Sequence, residues 1–499
     1  MLTSTSKRYI DYSTFIIAIT LLLKLLCIGS NDLLAEEAYY WNYSVHLDFS
    51  YLDHPPMVAV LIKLFTSLFG VNEFGVRIAA ILCWVGTAFF SFKLTELIKI
   101  GAGRYAVMLL AILPFFFLHS LIITPDLPLI VCWSASIYFL YKALIQDQAS
   151  AWYWTGLWLG LGLLSKYTII LLGPSTLLYM MITPDSRKWF LKKEAYLCLL
   201  ITMLLFTPVV YWNATHEWAS FAFQSTRRFE EAFSFSFHQL LGLFVVFLTP
   251  IGVFGFFTLF RKNSKKHALV NATTRRFIQV FTLFPIVIFS LFSLTHEIKF
   301  NWIGPSLLAT IPWLAILLVT TEQKRPYGWL ITSSILTGVY ISMLFCIISG
   351  KPQPINQTIF SKYIAWHDLT EQVHAVAHDV ESQLKQSPII VPMDVYNIGS
   401  ELAFYQAKFL KQGKIDKAYK IIGRHLFGYS SLMYQYWSAG ETLTDKILIL
   451  ISEEPSSFTQ PGVSQHVIAK SAINDMWSHS QGQGGKIRKY YYQVVQMKS

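Results

Sequence analysis

Charge is scarce in this chain. Of 499 residues only 14% are Asp, Glu, Lys or Arg, while 54% are hydrophobic and 16% aromatic; soluble domains carry about 25% charged residues. That scarcity excludes a disordered protein, which lacks apolar surface to bury. It also excludes an ordinary soluble enzyme, because the apolar residues come in long uninterrupted blocks. Cysteine is rarer still: Cys27, Cys83, Cys132, Cys198 and Cys346 all fall in or at those blocks, so no disulfide framework is indicated. Internal repeats are absent. So are a phosphate-cradling glycine loop, a nucleotide-binding fingerprint and a nucleophile elbow, which leaves a mechanism fed by ATP or a cytosolic nucleotide sugar without support. The net charge is nevertheless +11. Its bases are not gathered into one polar module, so no nucleic-acid partner is expected.

What is present is a polytopic α-helical membrane protein. A span needs roughly 17–25 mostly apolar residues, and eleven candidates lie at about 13–29, 75–98, 105–122, 127–145, 152–165, 168–183, 195–212, 239–260, 277–295, 302–320 and 328–349. The first has the basic start of a signal peptide (Lys7, Arg8) but no small-residue cleavage site after Cys27-Ile28-Gly29-Ser30, so it is expected to stay as a span. Alternate loops hold Lys7/Arg8, Lys93/Lys99/Arg104, Lys142, Arg187/Lys188/Lys192/Lys193, Arg261/Lys262/Lys265/Lys266/Arg275/Arg276 and Lys324/Arg325. The opposite loops hold only Lys63, Arg77, Lys166, Arg227, Arg228 and Lys299. The positive-inside rule makes the first set cytoplasmic, with the N-terminus inside and the tail outside. The expected division is 1–349, a membrane domain with a long external loop at 30–74, and 350–499, an extracytoplasmic α/β domain. In the loop, Met57–Phe69 reads as an interfacial helix. In the tail, 388–391, 446–452 and 490–496 read as strands, and 369–384 and 400–406 as helices. Sequons at Asn42, Asn213, Asn271 and Asn356 are taken as chance, since one falls in a cytoplasmic loop.

Candidate chemistry collects on the external side. Glu36 and Glu37 adjoin Tyr39, Tyr40 and Trp41, and Asp53-His54-Pro55-Pro56 follows. On a helix the two acids point about 100° apart, so only one can face a given substrate atom as general base toward a hydroxyl. A helix-start acidic pair with interfacial aromatics would carry the same residues. Asp126 opens the fourth span, where an N-cap would also place a carboxylate. Lys166 lies between two apolar runs, and an ionisable residue there is costly unless it has work to do; a lipid phosphate would take such a cation, although a snorkelling lysine fits too. Arg227 and Arg228 could fork onto phosphate oxygens or bind anionic headgroups. Lys299, Asn301 and Trp302 complete the face. His46, His54 and Asp53 do not form a compact metal set, so no metal and no other cofactor is expected to be required.

The string Glu36-Glu37-Ala38-Tyr39-Tyr40-Trp41 followed by Asp53-His54-Pro55-Pro56 resembles the first periplasmic loop of bacterial dolichyl-phosphate-mannose protein mannosyltransferase-like enzymes. That group includes the lipid A aminoarabinose transferases and is of the GT-C membrane glycosyltransferase type. Asp126-Leu127-Pro128-Leu129, Leu164-Ser165-Lys166-Tyr167-Thr168, Arg227/Arg228-Phe229, Lys299-Phe300-Asn301-Trp302 and the tail string Asp394–Tyr405 match in the same order. The resemblance implies an inverting transfer of a sugar from a polyprenyl-phosphate donor to an envelope acceptor, lipid A or another lipopolysaccharide component, by a monomer in the bacterial inner membrane. Protein O-mannosylation of Ser/Thr is the alternative within enzymes, and a lipid-linked sugar flippase the alternative of another class. The family's essential acid is usually the Asp of an Asp-Glu pair. Glu36 matches it and Glu37 matches the second acid, so either Glu36 is the base or Glu37 has taken the role; Asp126 is the third acid of the set. Lys166 matches the lysine that holds the donor phosphate, with Arg227, Arg228, Lys299 and His54 as further phosphate contacts. His54 stands where the aminoarabinose branch has Lys, so its contact depends on protonation. Tyr39, Tyr40, Trp41, Asp53, Asn301 and Trp302 are expected to line the substrate groove.

Overall fold

A computed structural model describes residues 4–226, 233–261, 269–322, 327–349, 365–440, 443–479 and 485–498. The chain forms two compact units. One comprises Met1–Leu26, Asp53–Val58 and Ala79–Ile341; the other comprises Cys27–Leu52, Ala59–Ile78 and Ser342–Ser499. Most of the first external loop thus clusters with the tail.

Among the described residues six helices are long and apolar enough to cross a membrane: Glu73–Ile98, Asp126–Leu144, Lys193–Thr215, Phe237–Thr258, Ala272–Phe292 and Tyr327–Ser349. Each coincides with one expected span. Their outward side chains are apolar, as Leu204, Phe254 and Phe345 show, an arrangement that costs nothing against lipid but is unfavourable in water. Four of the other five expected positions hold shorter or broken helices. Pro114, which lacks an N–H, separates Gly103–Ile112 from Pro114–His119. Ala151–Leu163 stops short of Lys166. The next apolar run starts as a 3-10 turn, Tyr167–Leu171, before Leu172–Ile182. Pro305 opens another 3-10 turn, Pro305–Ala309, ahead of Ile311–Glu322. Ser4–Cys27 is the first helix; its Lys24 is buried, with Nζ 3.6 Å from the centre of the Trp84 ring, a cation–π contact in place of water.

The second unit carries the sheet. β1 (Ile389–Pro392) pairs in parallel with β2 (Ile447–Ser452), and β2 pairs antiparallel with β5 (Lys486–Met497). β3 (Val467–Ala469) and β4 (Asn474–His479) both add antiparallel to β5. β1 and β2 are buried along their whole lengths, and Val391, Leu448, Leu450, Ile422 and Val495 form one core. Helix Met57–Phe69 also belongs largely to this unit. It exposes Val60, Leu64 and Leu68, an i, i+4, i+8 apolar stripe of the kind that lies on an interface. Cys27, Cys83, Cys132 and Cys198 are buried free thiols.

Two helices of this unit matter below, the loop helix Ala35–Val45 and the tail helix Asn397–Lys411. The tail helix starts where the Asp394 carboxylate accepts hydrogen bonds from the N–H groups of Tyr396, Asn397 and Ile398 at 3.2, 2.5 and 3.3 Å, satisfying donors a helix start leaves open. Asp394→Ala should therefore destabilise the protein by about 1–2 kcal/mol, read as a lower Tm in detergent, with Asp394→Asn, whose Oδ1 still accepts, keeping most of the parent's stability; an unchanged Tm in the alanine variant would contradict this.

Candidate active site

The adjacent acids have separate fates. Glu36 is exposed and Glu37 is fully buried. At the third position of the loop helix, Glu37 reaches back to accept the Leu34 N–H at 3.0 Å, a capping contact. Its carboxylate is then gripped by Arg77, whose Nε lies 2.9 and 3.1 Å from the two oxygens and whose Nη2 lies 2.7 Å from Oε2. The rest of the guanidinium donates to the carbonyls of Ile28, Asn31 and Asp32 at 3.1, 3.0 and 2.7 Å. All five Arg77 N–H groups are therefore in use. A charge this deep is tolerated because its partner and its remaining donors are satisfied together.

Tyr39, Tyr40 and Trp41 are buried. Tyr39 packs on Tyr396 with ring centres 4.7 Å apart, Tyr40 on Tyr43 at 5.6 Å, and Trp41 edge-on to Phe404 at 5.2 Å. These contacts anchor the loop helix in the unit, since rings this large gain more from packing than from solvent.

The membrane unit assembles another set. Asp126 is the first residue of its helix, directly after Pro125 at the N-cap. The carboxylate receives Lys166 Nζ at 2.8 and 3.1 Å and Asn301 Nδ2 at 2.6 Å. Lys166 is held in extended backbone between Ala151–Leu163 and the following 3-10 turn, its N–H bonded to the Gly162 carbonyl at 2.9 Å. Gly162 is needed there: a Cβ would sit 2.1 Å from Ile169 Cδ1. A cavity of about 430 Å³ opens beside Lys166. Its polar end has His54, Lys166 and Gln224, and its walls are Ile170, Leu171, Ile288, Phe289, Phe292 and Trp302. Gln224 Nε2 donates to the carbonyl of Asp53, itself mostly buried. Lys299 is exposed, and Arg227 and Arg228 lie outside the described residues.

Sequence reasoning missed three participants. Arg77 was counted only as an external base, although a charge inside an apolar helix was itself a signal. Gln224 carried none. His119, whose Nδ1–H donates to the Phe115 carbonyl at 2.9 Å, stacks on Phe300, packs at a tilt on Phe115 and lies in electrostatic reach of Asp126 and Lys166. Among the described residues the metal-sized grouping is Asp32, Glu73 and His367, not the histidines near the acid pair. An ammonium already balances it: Lys408 Nζ lies 2.7 Å from both Glu73 oxygens and 2.9 Å from His367 Nε2.

Residues 53–212 match the family described as dolichyl-phosphate-mannose-protein mannosyltransferase. Among curated proteins, the lipid A galacturonosyltransferase RgtD of Rhizobium johnstonii is 23% identical over 197 residues. That match takes in 39% of this chain and 41% of the relative's length. Among solved structures, ArnT from Cupriavidus metallidurans in the apo state superposes with a TM-score of 0.62 over 98% of both chains, at 13% identity. The same protein bound to undecaprenyl phosphate gives 0.66 over 97% of this chain and 98% of that one, also at 13% identity. The fold, membrane helices followed by a sheet-containing C-terminal domain, is thus that of ArnT.

Removing one partner of the Arg77–Glu37 pair leaves a buried charge without its complement. Glu37→Ala or Arg77→Ala should each cost about 3–5 kcal/mol, and Arg77→Met/Glu37→Met should recover part of the loss in a thermal-unfolding cycle. Single variants as stable as the parent would contradict the lock.

Proposed function

From this likeness to the dolichyl-phosphate-mannose-protein mannosyltransferase family, we propose that the chain is an inverting glycosyltransferase that uses a polyprenyl-phosphate sugar. The observation that carries the reading is the cavity beside Lys166, whose mostly apolar lining also holds a cation. That is the chemistry of a polyprenyl chain ending in a phosphate.

In this account Lys166 takes the phosphate, and Asp126 with Asn301 hold the ammonium in position for it. His54 at the same cavity adds a contact when protonated; Arg227, Arg228 and Lys299 are further cations for the leaving phosphate. Glu36, the acid that Arg77 leaves free, is the general base. It removes the proton from an acceptor hydroxyl as that oxygen attacks the anomeric carbon. The carbon–oxygen bond to the lipid phosphate breaks from the opposite face, and its electron pair leaves on the phosphate, where the cations stabilise it. Glu37 has no chemical role here. The acceptor is lipid A or another lipopolysaccharide component, in keeping with the activity for which the Rhizobium relative is named, and the ArnT structure with undecaprenyl phosphate supports the donor class. The excess of bases in alternate loops supports a cytoplasmic N-terminus and a periplasmic tail, in the bacterial inner membrane.

The test is transfer of a labelled sugar from an undecaprenyl-phosphate donor to purified lipid A by the detergent-solubilised protein. Labelled lipid A is the expected product. Label on Ser/Thr of envelope protein would instead establish O-mannosylation, and donor movement across vesicles with no transfer would establish a flippase. Lys166→Ala should weaken binding of undecaprenyl phosphate by about 10- to 100-fold, the range of a lost charged hydrogen bond; unaltered binding would remove Lys166 from the donor site.

A further inference from the structure

The tail helix brings a third acid to the acid-pair corner. Glu401, Tyr405 and Lys408 lie at i, i+4 and i+7, one face of that helix. Two of them are fully engaged. Tyr405 Oη accepts the Leu33 N–H at 2.9 Å and donates to Glu73 at 3.1 Å, and Lys408 is spent on Glu73 and His367. Glu401 is different. It is 0% exposed, and neither carboxyl oxygen has a hydrogen-bond partner among the described residues. Asp32, Glu37 and Glu36 are acidic groups in its electrostatic surroundings, and Arg77 is a base that acts on it there. Arg77 has no N–H left to give it.

We propose that Glu401 is a positioning residue held as a neutral carboxylic acid, and that its neutrality lets the loop helix keep the docking that fixes Glu37 and presents Glu36. This deepens the reading in which Glu36 is the base. As a neutral group Glu401 adds no charge to a corner where Glu37 and Arg77 already cancel. Ionised, it would place a further negative charge against Asp32 and Glu37 with no donor to receive it, a costly arrangement in a low-dielectric interior. The other facing groups cannot relieve it. Tyr405, Tyr434 and Tyr490 are also within its field, and their hydroxyls carry no positive charge. Burial pushes the Glu401 carboxyl well above the usual carboxylate range, the charges of Asp32 and Glu37 push the same way, and Arg77 opposes them.

The pH consequence follows from proton counts. Above the ordinary carboxylate range the unfolded chain has lost the Glu401 proton while the folded protein keeps it. The folded form thus binds more protons, and stability falls with rising pH until the raised folded value is passed. Glu401→Gln keeps the size and neutrality and removes that slope. In the full-length protein, the Tm difference between Glu401→Gln and the parent should therefore widen in the variant's favour from about pH 5 to about pH 9. Its transfer rate at neutral pH should stay within about threefold of the parent, and the alkaline limb of its pH–rate profile should move upward. The parent should also show a protonated-carboxyl infrared band that Glu401→Gln lacks. A Tm difference independent of pH, with no such band, would overturn the proposal; so would a transfer rate lost in Glu401→Gln and restored in Glu401→Asp, which marks a working anion. Because the Tm and infrared readings need no substrate, they report on Glu401 even if no sugar transfer is found, and that second result would count against the enzyme reading alone.

Discussion

A single guanidinium organises the acid-pair half of this protein. Arg77 projects from the start of a long apolar helix and uses every donor it has, on the Glu37 carboxylate and on three carbonyls between Ile28 and Asp32. Five hydrogen bonds from one rigid planar group fix both the end of the incoming chain and the first turn of the loop helix. The direction of Glu36 follows: once Glu37 is turned inward, the neighbouring side chain, about 100° around the helix, is turned out. The tail helix then closes the corner, with Tyr405 on Leu33 and Lys408 on Glu73.

The membrane unit solves the complementary problem of keeping a cation beside hydrocarbon. Lys166 is held by Asp126, and Asp126 by Asn301; each polar group is satisfied by the next, as an apolar setting demands. The pair is nearly neutral at rest, which lowers the cost of holding a lysine beside an apolar cavity. A phosphate arriving there meets an ammonium already oriented, so little ordering remains to be done on binding.

Much of this was legible in the sequence, and the reasons it was or was not are physical. Lipid demands long apolar runs, so the six helices of spanning length stand out. The shorter and broken ones do not, because Pro114, Pro305 and the Lys166–Tyr167 junction interrupt backbone without interrupting hydrophobicity. In the tail, β1, β2 and β5 carry apolar residues and are readable, whereas β3 has three residues and β4 reads Asn-Asp-Met-Trp-Ser-His; only pairing with β5 makes them strands. The acid pair was visible as a motif. Which acid is free depends on Arg77, forty positions away, and Glu401 lies hundreds of positions away; such contacts leave no local pattern. For the same reason the packing partners of Tyr39 and Trp41 could not be read from the loop: Tyr396 and Phe404 belong to the tail.

The division of labour between the two glutamates is the centre of this account, and it is best tested by measuring Tm and sugar-transfer rate together for Glu36→Gln and Glu37→Gln. A general base contributes about 10²–10⁴-fold. The account predicts that Glu36→Gln loses transfer on that scale while melting like the parent, and that Glu37→Gln melts markedly lower, with any loss of rate following its loss of folded protein. A stable, inactive Glu37→Gln beside a fully active Glu36→Gln would contradict it.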